Sequence, residues 1–290
     1  MTRLDVALAT CRTLPEPDAD EAPLLDALAA AGLAARSLAW DDPDAPFADA
    51  RVVLLRSTWN YVHHLDAFLA WVDACGPRLV NPAPVVRWNH HKRYLADLVA
   101  RGVAAVPTEH VTRGTGRRLD DVLTSRGWNE AVAKPAVSAA SFETRRVRVG
   151  DAAAGAWFDG ALEARDMMVQ PYVRSVEAYG ERSLVWVDGA VTHAIRKTPR
   201  FTGEGERVST GAVAVADDER AFAGEAVRAA ESLTDSAVHY ARVDVVRDEA
   251  GALQVMELEL IEPSLFFAQG PDALVRLTAA LARRCGRVAG

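Results

Sequence analysis

Acidic and basic residues alternate along two neighbouring segments near the C-terminus. Arg242 and Asp244 are two positions apart in one apolar segment, and Glu257 and Glu259 are two positions apart in the next. Because side chains alternate along a strand, each pair is expected on one face. The short turn at 248–251 joins the segments, so the two strands should pair and bring three carboxylates together.

Three converging carboxylates favour a bound cation, since burying unpaired negative charge is very costly. Magnesium takes oxygen ligands and bridges carboxylates to nucleotide phosphates. The pattern therefore predicts a magnesium site formed by Asp244, Glu257 and Glu259. The alternative is a hairpin face that lies in water with its charges solvated, and the carboxylates alone do not decide between the two.

Lysine is rare in this chain, which has only Lys92, Lys134 and Lys197 among 33 basic residues. Lys134 ends the apolar run 131–134, and Lys92 falls in the first turn of a predicted helix, where anions are favoured. A compact ammonium is suited to phosphate oxygens. Lys92 and Lys134 are therefore candidates for phosphate binding, with ordinary surface lysines as the alternative.

Two further segments could bind a nucleotide. Val169-Gln-Pro-Tyr-Val ends an apolar strand at a proline, and its backbone could hydrogen-bond a purine edge, although an ordinary strand exit has the same pattern. The adjacent cations Arg196 and Lys197 suit phosphate oxygens.

The elements around these residues predict an α/β chain. Buried strands at 4–9 and 52–55 alternate with helices at 24–31 and 65–74, which is typical of a parallel sheet. The rest of the chain predicts helices at 89–101, 217–233 and 271–284, strands at 105–111, 130–134, 144–149, 167–170, 241–247 and 253–260, and a hairpin over 182–191 that turns at Asp188-Gly189. The glycines at 114 and 116 are interpreted as a loop, because Leu119 replaces the third glycine of a dinucleotide fingerprint.

Composition limits the function classes. The 290 residues are 50% hydrophobic with a net charge of −7, which does not indicate a nucleic-acid partner. No apolar stretch reaches the ~18 residues of a membrane span. The N-terminus reads as a strand rather than a signal peptide, and Cys11, Cys75 and Cys285 are widely spaced, so we expect a cytoplasmic protein without disulfides or structural zinc.

The order of these segments resembles the ATP-grasp superfamily, as in D-alanine–D-alanine ligase and prokaryotic glutathione synthetase. The resemblance covers roughly 89–264 and is carried by Lys92, Lys134, Gln170-Pro-Tyr-Val, Gly180-Glu-Arg, Ala194-Ile-Arg, Arg242-Val-Asp and Glu257-Leu-Glu. A narrower branch contains the cyclo-ligase that closes O-ureido-D-serine to D-cycloserine. This branch is similar over the whole chain, through Arg56-Ser-Thr-Trp-Asn-Tyr, Trp88-Asn-His-His-Lys and Glu257-Leu-Glu-Leu-Ile-Glu-Pro-Ser.

The resemblance implies a role for each matching residue. Nucleotide contacts would come from Lys92 and Lys134 on the phosphates, Gln170, Tyr172 and Val173 on adenine, Glu181 or its competitor Glu177 on ribose, and Arg196 on phosphate. Arg242 would stabilise the tetrahedral intermediate, with Arg196 and Lys134 as the other catalytic cations, and Asp244, Glu257 and Glu259 would hold magnesium. Arg56, Ser57, Trp59 and Ser264 would face the substrate. Arg56 would hold the substrate carboxylate, unless it pairs with a structural acid such as Asp42.

The implied fold is ATP-grasp, with an N-terminal parallel-sheet domain (1–88), a central lid (89–170) and a C-terminal subdomain (171–290), and ATP between the last two. The implied activity is an ATP- and Mg²⁺-dependent carbon–nitrogen ligase that activates a small amino-acid-derived carboxylate as an acyl phosphate, in the manner of the cyclo-ligase. An intermolecular amino-acid ligase and a catalytically silent nucleotide-binding protein remain alternatives, and a homodimer is left open.

Two positions depart from the superfamily pattern. Glu259 stands where the metal motif usually ends in Asn, which adds one negative charge. The loop that covers the phosphates is usually rich in glycine, but here it reads Ala136-Val-Ser-Ala-Ala-Ser. Small residues still allow the backbone to approach a ligand closely.

Overall fold

The computed structural model describes residues 4–198, 201 and 207–287, which form three four-stranded sheets. The first sheet is parallel, with strand order β2-β1-β3-β4. Its elements are β1 (Leu4–Thr10), α1 (Glu21–Ala30), β2 (Ala35–Ala39), β3 (Ala50–Ser57), α2 (Leu65–Cys75) and β4 (Leu79–Val80).

The first sheet is covered on both faces, which explains the continuous apolar runs in β1 and β3. Val6 and Leu8 of β1 face one hydrophobic cluster, while Ala7 and Ala9 face another. The carboxyl ends of β1 and β3 meet where Thr10 pairs with Ser57. Residues that follow these two strands therefore lie close together.

The middle sheet is antiparallel, with strand order β5-β8-β6-β7. Two short helices, α3 (Ala83–Asn89) and α4 (Tyr94–Ala100), lead into it. It contains β5 (Glu109–Val111), α5 (Leu119–Arg126), β6 (Glu130–Pro135), β7 (Arg145–Arg148), α6 (Ala152–Ala164) and β8 (Met167–Pro171). Along β6, Ala131 and Ala133 pack among the residues of α5 and α6, which leaves Val132 and Lys134 on the opposite face.

The third sheet is also antiparallel, with strand order β10-β9-β11-β12. Its elements are β9 (Glu181–Val187), β10 (Ala190–Lys197), α7 (Asp217–Thr234), β11 (Tyr240–Arg247), β12 (Leu253–Glu259) and α8 (Pro271–Arg284). Along β11, Ala241, Val243 and Val245 pack in the cluster that contains α7. Arg242 and Asp244 consequently face the other side.

Single turns of 3-10 helix complete the described chain, at Phe47–Asp49, Trp59–His63, Gly76–Arg78 and Arg174–Glu177. Leucines of α1 and α8 share one cluster with residues of the first and third sheets, so these two sheets are joined through a common core. None of the helices in the described part of the chain is both long and apolar enough to cross a membrane.

The α/β fold class is confirmed, but several elements differ from the sequence predictions. The helix expected at 89–101 is shorter, since α3 ends at Asn89 and α4 begins only at Tyr94. Lys92 lies in the connection between them, where its backbone N–H donates to Ala136 O at 2.8 Å. The strand expected at 105–111 begins only at Glu109, and Ala105 forms an isolated bridge with Val255. Five elements were not predicted from the sequence: β2, β4, α3, α5 and α6.

Candidate active site

A cavity is lined by residues of the middle and third sheets and by segments that follow strands of the first sheet. The 3-10 turn that follows β3 contributes Trp59 and Tyr61, and the middle sheet contributes Val132, Lys134 and Gln170. The third sheet and the segment after it contribute Glu181, Lys197, Arg242, Glu257, Glu259, Glu262 and Ser264.

The register of β11 and β12 sets the charged side of the cavity. Arg242 lies opposite Glu259, and Asp244 lies opposite Glu257. The register shifts beyond this pair, since Val245 pairs with Val255 and leaves Met256 as an extra residue. This bulge lets Met256 line the cavity beside Glu257.

The outer edge of β12 is held by side chains instead of a further strand. Asn89 Nδ2 donates to Leu258 O at 2.8 Å, and its Oδ1 accepts from the Leu260 N–H at 2.9 Å. The hydroxyl of Tyr94 accepts from the Leu258 N–H at 3.0 Å. These contacts satisfy the backbone of an edge strand and fix the positions of Glu257 and Glu259.

Glu257 joins the two candidate phosphate-binding lysines. Lys92 and Lys134 both donate to its carboxylate, the latter at 3.0 Å, and Lys92 Nζ also donates to Ser138 O at 3.2 Å. Burial alone would raise the pKa of Glu257, but the two ammonium groups outweigh it and hold the pKa well below its usual range. Lys92 stays charged as well, because Glu257 outweighs the effect of burial and raises the pKa of the lysine.

Asp244 has no exposed surface and lies behind two cations. Arg242 Nε donates to Oδ1 at 2.9 Å, and Lys197 Nζ lies 2.7 Å from Oδ2. Burial would raise the pKa of this carboxyl, but Arg242 and Lys197 lower it. Lys197 Nζ also lies 2.7 Å from Glu181 Oε1, so one lysine connects two acids.

Glu259 and Glu262 behave differently from these two acids. Burial, with the negative charges of Glu257 and Asp244 added, raises the pKa of Glu259 to about 7 although Arg242 donates to it. Burial, reinforced by Glu259, raises the pKa of Glu262 to about 8. The cavity therefore combines fully ionised carboxylates with carboxyls that retain a proton near neutral pH.

The other end of the cavity is apolar. Val132, Tyr172, Val173, Val176 and Met256 line it, and this slot has the character needed for a planar heterocycle. Arg146 covers the outer face of the Tyr172 ring, with its guanidinium carbon 3.7 Å from the ring centroid. Gln170 is buried at the slot and donates to Thr108 Oγ1 at 3.0 Å.

Residues 6–81 match the family model described as D-cycloserine synthetase DcsG, N-terminal domain. The cycloserine biosynthesis protein DcsG of Streptomyces lavendulae is 34% identical over 293 residues, which covers 96% of this chain and 98% of the relative. The chain belongs to the D-cycloserine synthetase family of ATP-grasp ligases. It is therefore an ATP-dependent ligase, and the resemblance drawn from the sequence is confirmed.

Solved structures agree with this membership. The crystal structure of D-cycloserine synthetase DcsG superposes with a TM-score of 0.87 at 33% identity, over 97% of this chain and 99% of that one. D-alanine–D-alanine ligase from Bacillus anthracis, in complex with ATP, gives a TM-score of 0.67 at 14% identity, over 97% and 96%. The more distant match shows the shared ATP-grasp fold alone.

Most residues that were predicted from the sequence to bind nucleotide, metal or substrate line the cavity. They are Lys92, Lys134, Gln170, Tyr172, Val173, Glu181, Arg242, Glu257, Glu259, Trp59 and Ser264. Glu177, the competitor for ribose, is exposed beside the slot, where it accepts from the Tyr172 hydroxyl at 3.4 Å. Asp244 lies beneath the cavity lining, behind Arg242 and Lys197.

The structure does not bring Arg196 to the cavity. Its Nε donates to Tyr179 O at 3.2 Å and its Nη2 to Ala178 O at 3.1 Å. Neighbours on a strand point to opposite faces, so only one of the two adjacent cations can face the cavity, and that residue is Lys197.

The structure also places Arg56 and Ser57 elsewhere. Arg56 is 1% exposed, donates to Pro263 O at 3.0 Å and pairs with Asp20 at 3.3 Å, so its structural acid is Asp20 rather than Asp42. Ser57 donates to Thr10 Oγ1 at 2.9 Å, beside β1. Neither side chain lines the cavity, and the guanidinium that was expected to hold a substrate carboxylate is occupied by the protein.

Of the adjacent cations Arg196 and Lys197, only Arg196 was given a site role from the sequence, and no role was predicted for the cavity residues Tyr61, Met256 and Glu262. Lys197 carried a usable signal, since it is one of only three lysines and alternates with Arg196. Glu262 lies inside the quoted segment 257–264 but was given no role. The position of Met256 depends on the bulge in β12, which no pattern in the sequence marks.

As placed, no three His, Cys, Asp or Glu side chains within the described ranges form a group that could hold a metal ion. The carboxylates are already paired with cations: Lys92 and Lys134 form ion pairs with Glu257, while Arg242 and Lys197 form ion pairs with Asp244. The donor set still fits magnesium, because carboxylate oxygens from paired strands face the same cavity as the cations that phosphate oxygens require.

Proposed function

We propose that this chain uses ATP and Mg²⁺ to activate the carboxylate of a small amino-acid-derived substrate and joins it to a nitrogen of the same molecule. The proposed reaction is the closure of O-ureido-D-serine to D-cycloserine. The nitrogen bonded to oxygen displaces phosphate from the acyl phosphate, and water removes the carbamoyl group on that nitrogen as carbamate, which decomposes to CO2 and ammonia. The observation that carries the ligase chemistry is Glu257 held between Lys92 and Lys134, next to the pair of Arg242 with Asp244.

ATP and Mg²⁺ fit this arrangement by an exchange of partners. Each cation of the cavity is paired with a carboxylate, so none of these charges is buried alone. Binding of Mg²⁺ to Glu257, Glu259 and Asp244 would give the carboxylates a new counter-ion, and the triphosphate would give Lys92, Lys134 and Lys197 new acceptors. Each of these charges would keep an opposite charge beside it, which makes the exchange electrostatically feasible.

When bound, ATP would supply the phosphoryl group that turns the substrate carboxylate into an acyl phosphate with release of ADP, and Mg²⁺ would neutralise charge on the phosphates. The protein contributes positioning and charge. Lys92 and Lys134 neutralise phosphate oxygens, and the guanidinium of Arg242 lies where it can hold negative charge that develops on the acyl oxygen. Gln170 and the backbone near Tyr172 and Val173 would hold adenine, and Glu181 the ribose.

Closure of a ring is favoured over intermolecular ligation by the family membership. It requires one bound molecule, whereas joining two molecules requires a second subsite. The substrate end is bounded by Trp59, Tyr61, Glu262 and Ser264, and Trp59 Nε1 donates to Glu262 O at 3.2 Å, which ties the two sides together. An intermolecular amino-acid ligase is the second candidate, because distant ATP-grasp neighbours include D-alanine–D-alanine ligase.

A single-substrate assay tests the proposal. The purified chain is incubated with ATP, Mg²⁺ and O-ureido-D-serine as the only organic acid, and ADP, phosphate and the cyclic product are measured. We expect all three to form together. Strict dependence of ADP release on an added amine would show that closure is wrong and the chain is an intermolecular ligase. Binding of ATP without turnover of any amino acid would contradict both.

A further inference from the structure

Glu262 is a buried acid in the cavity, and no residue in the described part of the chain hydrogen-bonds to its side chain. It is 8% exposed and lines the cavity. Within the described ranges its backbone carbonyl accepts from Trp59 Nε1, but no group donates to its carboxylate. The nearby cations are engaged elsewhere, Lys92 by Glu257 and Arg242 by Asp244 and Glu259.

A buried carboxyl without donors is unfavourable, and native proteins retain few such groups without a role. The cost is recovered if a ligand supplies a cationic donor. The same burial raises the pKa of Glu262 to about 8, so that the carboxyl retains its proton near neutral pH. Both observations describe a carboxyl whose partner is not part of the protein.

We propose that Glu262 binds the α-ammonium group of the substrate. This inference rests on the proposed function in one respect, that the substrate is an amino acid. An ammonium offers three donors and no acceptor, and its positive charge favours the ionised form of Glu262, whose oxygens only accept. Trp59 and Tyr61 line the same part of the cavity, and their rings add an electrostatic attraction for a cation.

The position of Glu262 would also keep the substrate's ammonium group apart from its reacting carboxylate. Glu262 follows the strand that bears Glu257 and Glu259, on the side of Trp59, whereas Lys92 and Lys134 lie on Glu257. An amino acid anchored through its ammonium at Glu262 would have its carboxylate in the same cavity as these lysines, since Lys92 lies near enough to Glu262 for their charges to interact. The acid would therefore fix the direction in which the substrate binds as well as its affinity.

The test compares two ligands that differ only in the ammonium group: O-ureido-D-serine and its des-amino counterpart, 3-(ureidooxy)propanoic acid. Calorimetry in the presence of Mg²⁺ and a non-hydrolysable ATP analogue gives both dissociation constants. We expect the wild-type chain to prefer the amino compound by about tenfold or more, as for a charged hydrogen bond. Glu262→Gln should bring the ratio close to one, with the affinity for the des-amino compound unchanged.

Three controls keep the result interpretable. Glu249→Gln makes the same chemical change at an exposed turn and should retain the preference. Glu262→Asp keeps a carboxyl group on a shorter side chain and should retain part of the preference for the amino compound. The affinity for the ATP analogue should be equal in all variants, which shows that the nucleotide site is folded.

The proposal is overturned if wild type binds both compounds equally or neither of them, or if Glu262→Gln weakens both to the same extent. The last result would mean that the acid contacts the ureido group or supports the cavity wall. Turnover is scored separately. A wild-type preference for the amino compound that depends on Glu262, without ADP release from O-ureido-D-serine, would refute the proposed reaction and retain the ammonium site.

Discussion

The Nζ atom of Lys197 lies 2.7 Å from Oδ2 of Asp244, a carboxylate with no exposed surface. Metal binding at Asp244 therefore requires Lys197 to move, and the triphosphate is the acceptor it would move to. We expect Lys197→Met to reduce kcat/KM for ATP by about a hundredfold, the scale found for removal of one stabilising group. Initial rates over a range of ATP concentrations measure this.

The neighbouring cation provides a matched comparison. Arg196→Met removes the same charge from the same strand, but its guanidinium bonds to the carbonyls of Ala178 and Tyr179. We expect a KM for ATP within about threefold of wild type, since distant surface charges have small effects. A larger loss in Arg196→Met than in Lys197→Met would return the phosphate role to Arg196.

Glu257 connects both phosphate-binding lysines to the proposed metal site. We expect Glu257→Gln to reduce ligase activity by at least about a hundredfold, because it removes a charged ligand and the partner of two ammonium groups. Turnover at saturating Mg²⁺ measures the loss. The fold should persist, as judged by circular dichroism.

Glu225→Gln is the control for that change, since Glu225 is exposed on α7. It should retain full activity. Near-normal turnover of Glu257→Gln at saturating Mg²⁺ would remove Glu257 from the metal site.

Lys134 lies at the end of β6 with its ammonium 3.0 Å from Glu257 Oε2. We expect Lys134→Ala to weaken ATP binding about tenfold or more, since a charge-assisted hydrogen bond is worth roughly 1.5–3 kcal/mol. Calorimetry with ATP and Mg²⁺ measures the affinity. Arg36→Ala, at an exposed position of β2, should bind ATP as wild type does, and an unchanged affinity in Lys134→Ala would refute its role.

Strand alternation explains how much of the site could be predicted. Arg242 with Asp244 and Glu257 with Glu259 follow a period of two, and the turn at 248–251 fixes their pairing, so the charged face could be derived from local rules. The same rule, applied at Arg196 and Lys197, states that one of them faces away from the cavity. It does not state which, because that depends on how β10 packs in the sheet.

Other parts of the site depend on contacts between residues far apart in sequence. Arg56 lies at the carboxyl end of the parallel strand β3, where ligands often bind, and its type suits a carboxylate. Its actual partner, Asp20, is 36 positions earlier, and no local pattern identifies that pair. The helix expected at 89–101 failed for the same reason, since Asn89 bonds to β12, about 170 residues later.

Asp20 connects the first sheet to the loop that follows β12. Its carboxylate accepts the backbone N–H groups of Leu265, Phe266 and Phe267 at 2.6, 3.0 and 2.9 Å, in addition to Arg56. We expect Asp20→Asn to lower the free energy of unfolding by about 3 kcal/mol, because it leaves a buried guanidinium without its counter-charge. Urea unfolding measures the difference.

A double-mutant cycle shows whether Arg56 is structural or binds substrate. If Arg56 pairs with Asp20, the losses of unfolding free energy in Arg56→Met and Asp20→Asn are not additive. The double variant should then be at most about 1 kcal/mol less stable than Asp20→Asn alone. Additive losses, together with a KM for the amino acid that rises only in Arg56→Met, would restore the substrate role.

The last prediction concerns pH. Burial raises the pKa of Glu262 to about 8, against about 4.3 for an unfolded glutamate. Between these values the native state binds the proton that the unfolded chain has released. Stability from this group is therefore complete below about pH 4 and is lost as the pH rises through 8, with a slope of up to about 1.4 kcal/mol per pH unit. Glu259, with a pKa of about 7, acts in the same direction.

Glu262→Gln isolates this contribution, because the amide keeps the shape of the acid and never ionises. Urea unfolding of the ligand-free chain at pH 5, 6.5 and 8 should give similar stabilities for wild type and variant at pH 5, and a more stable variant at pH 8. Glu249→Gln, at an exposed position, should give a profile parallel to that of wild type. If the profile of Glu262→Gln is also parallel to wild type, Glu262 is ionised in the native chain at neutral pH. The carboxyl would then have a donor in solution, which removes the reason to assign it a ligand.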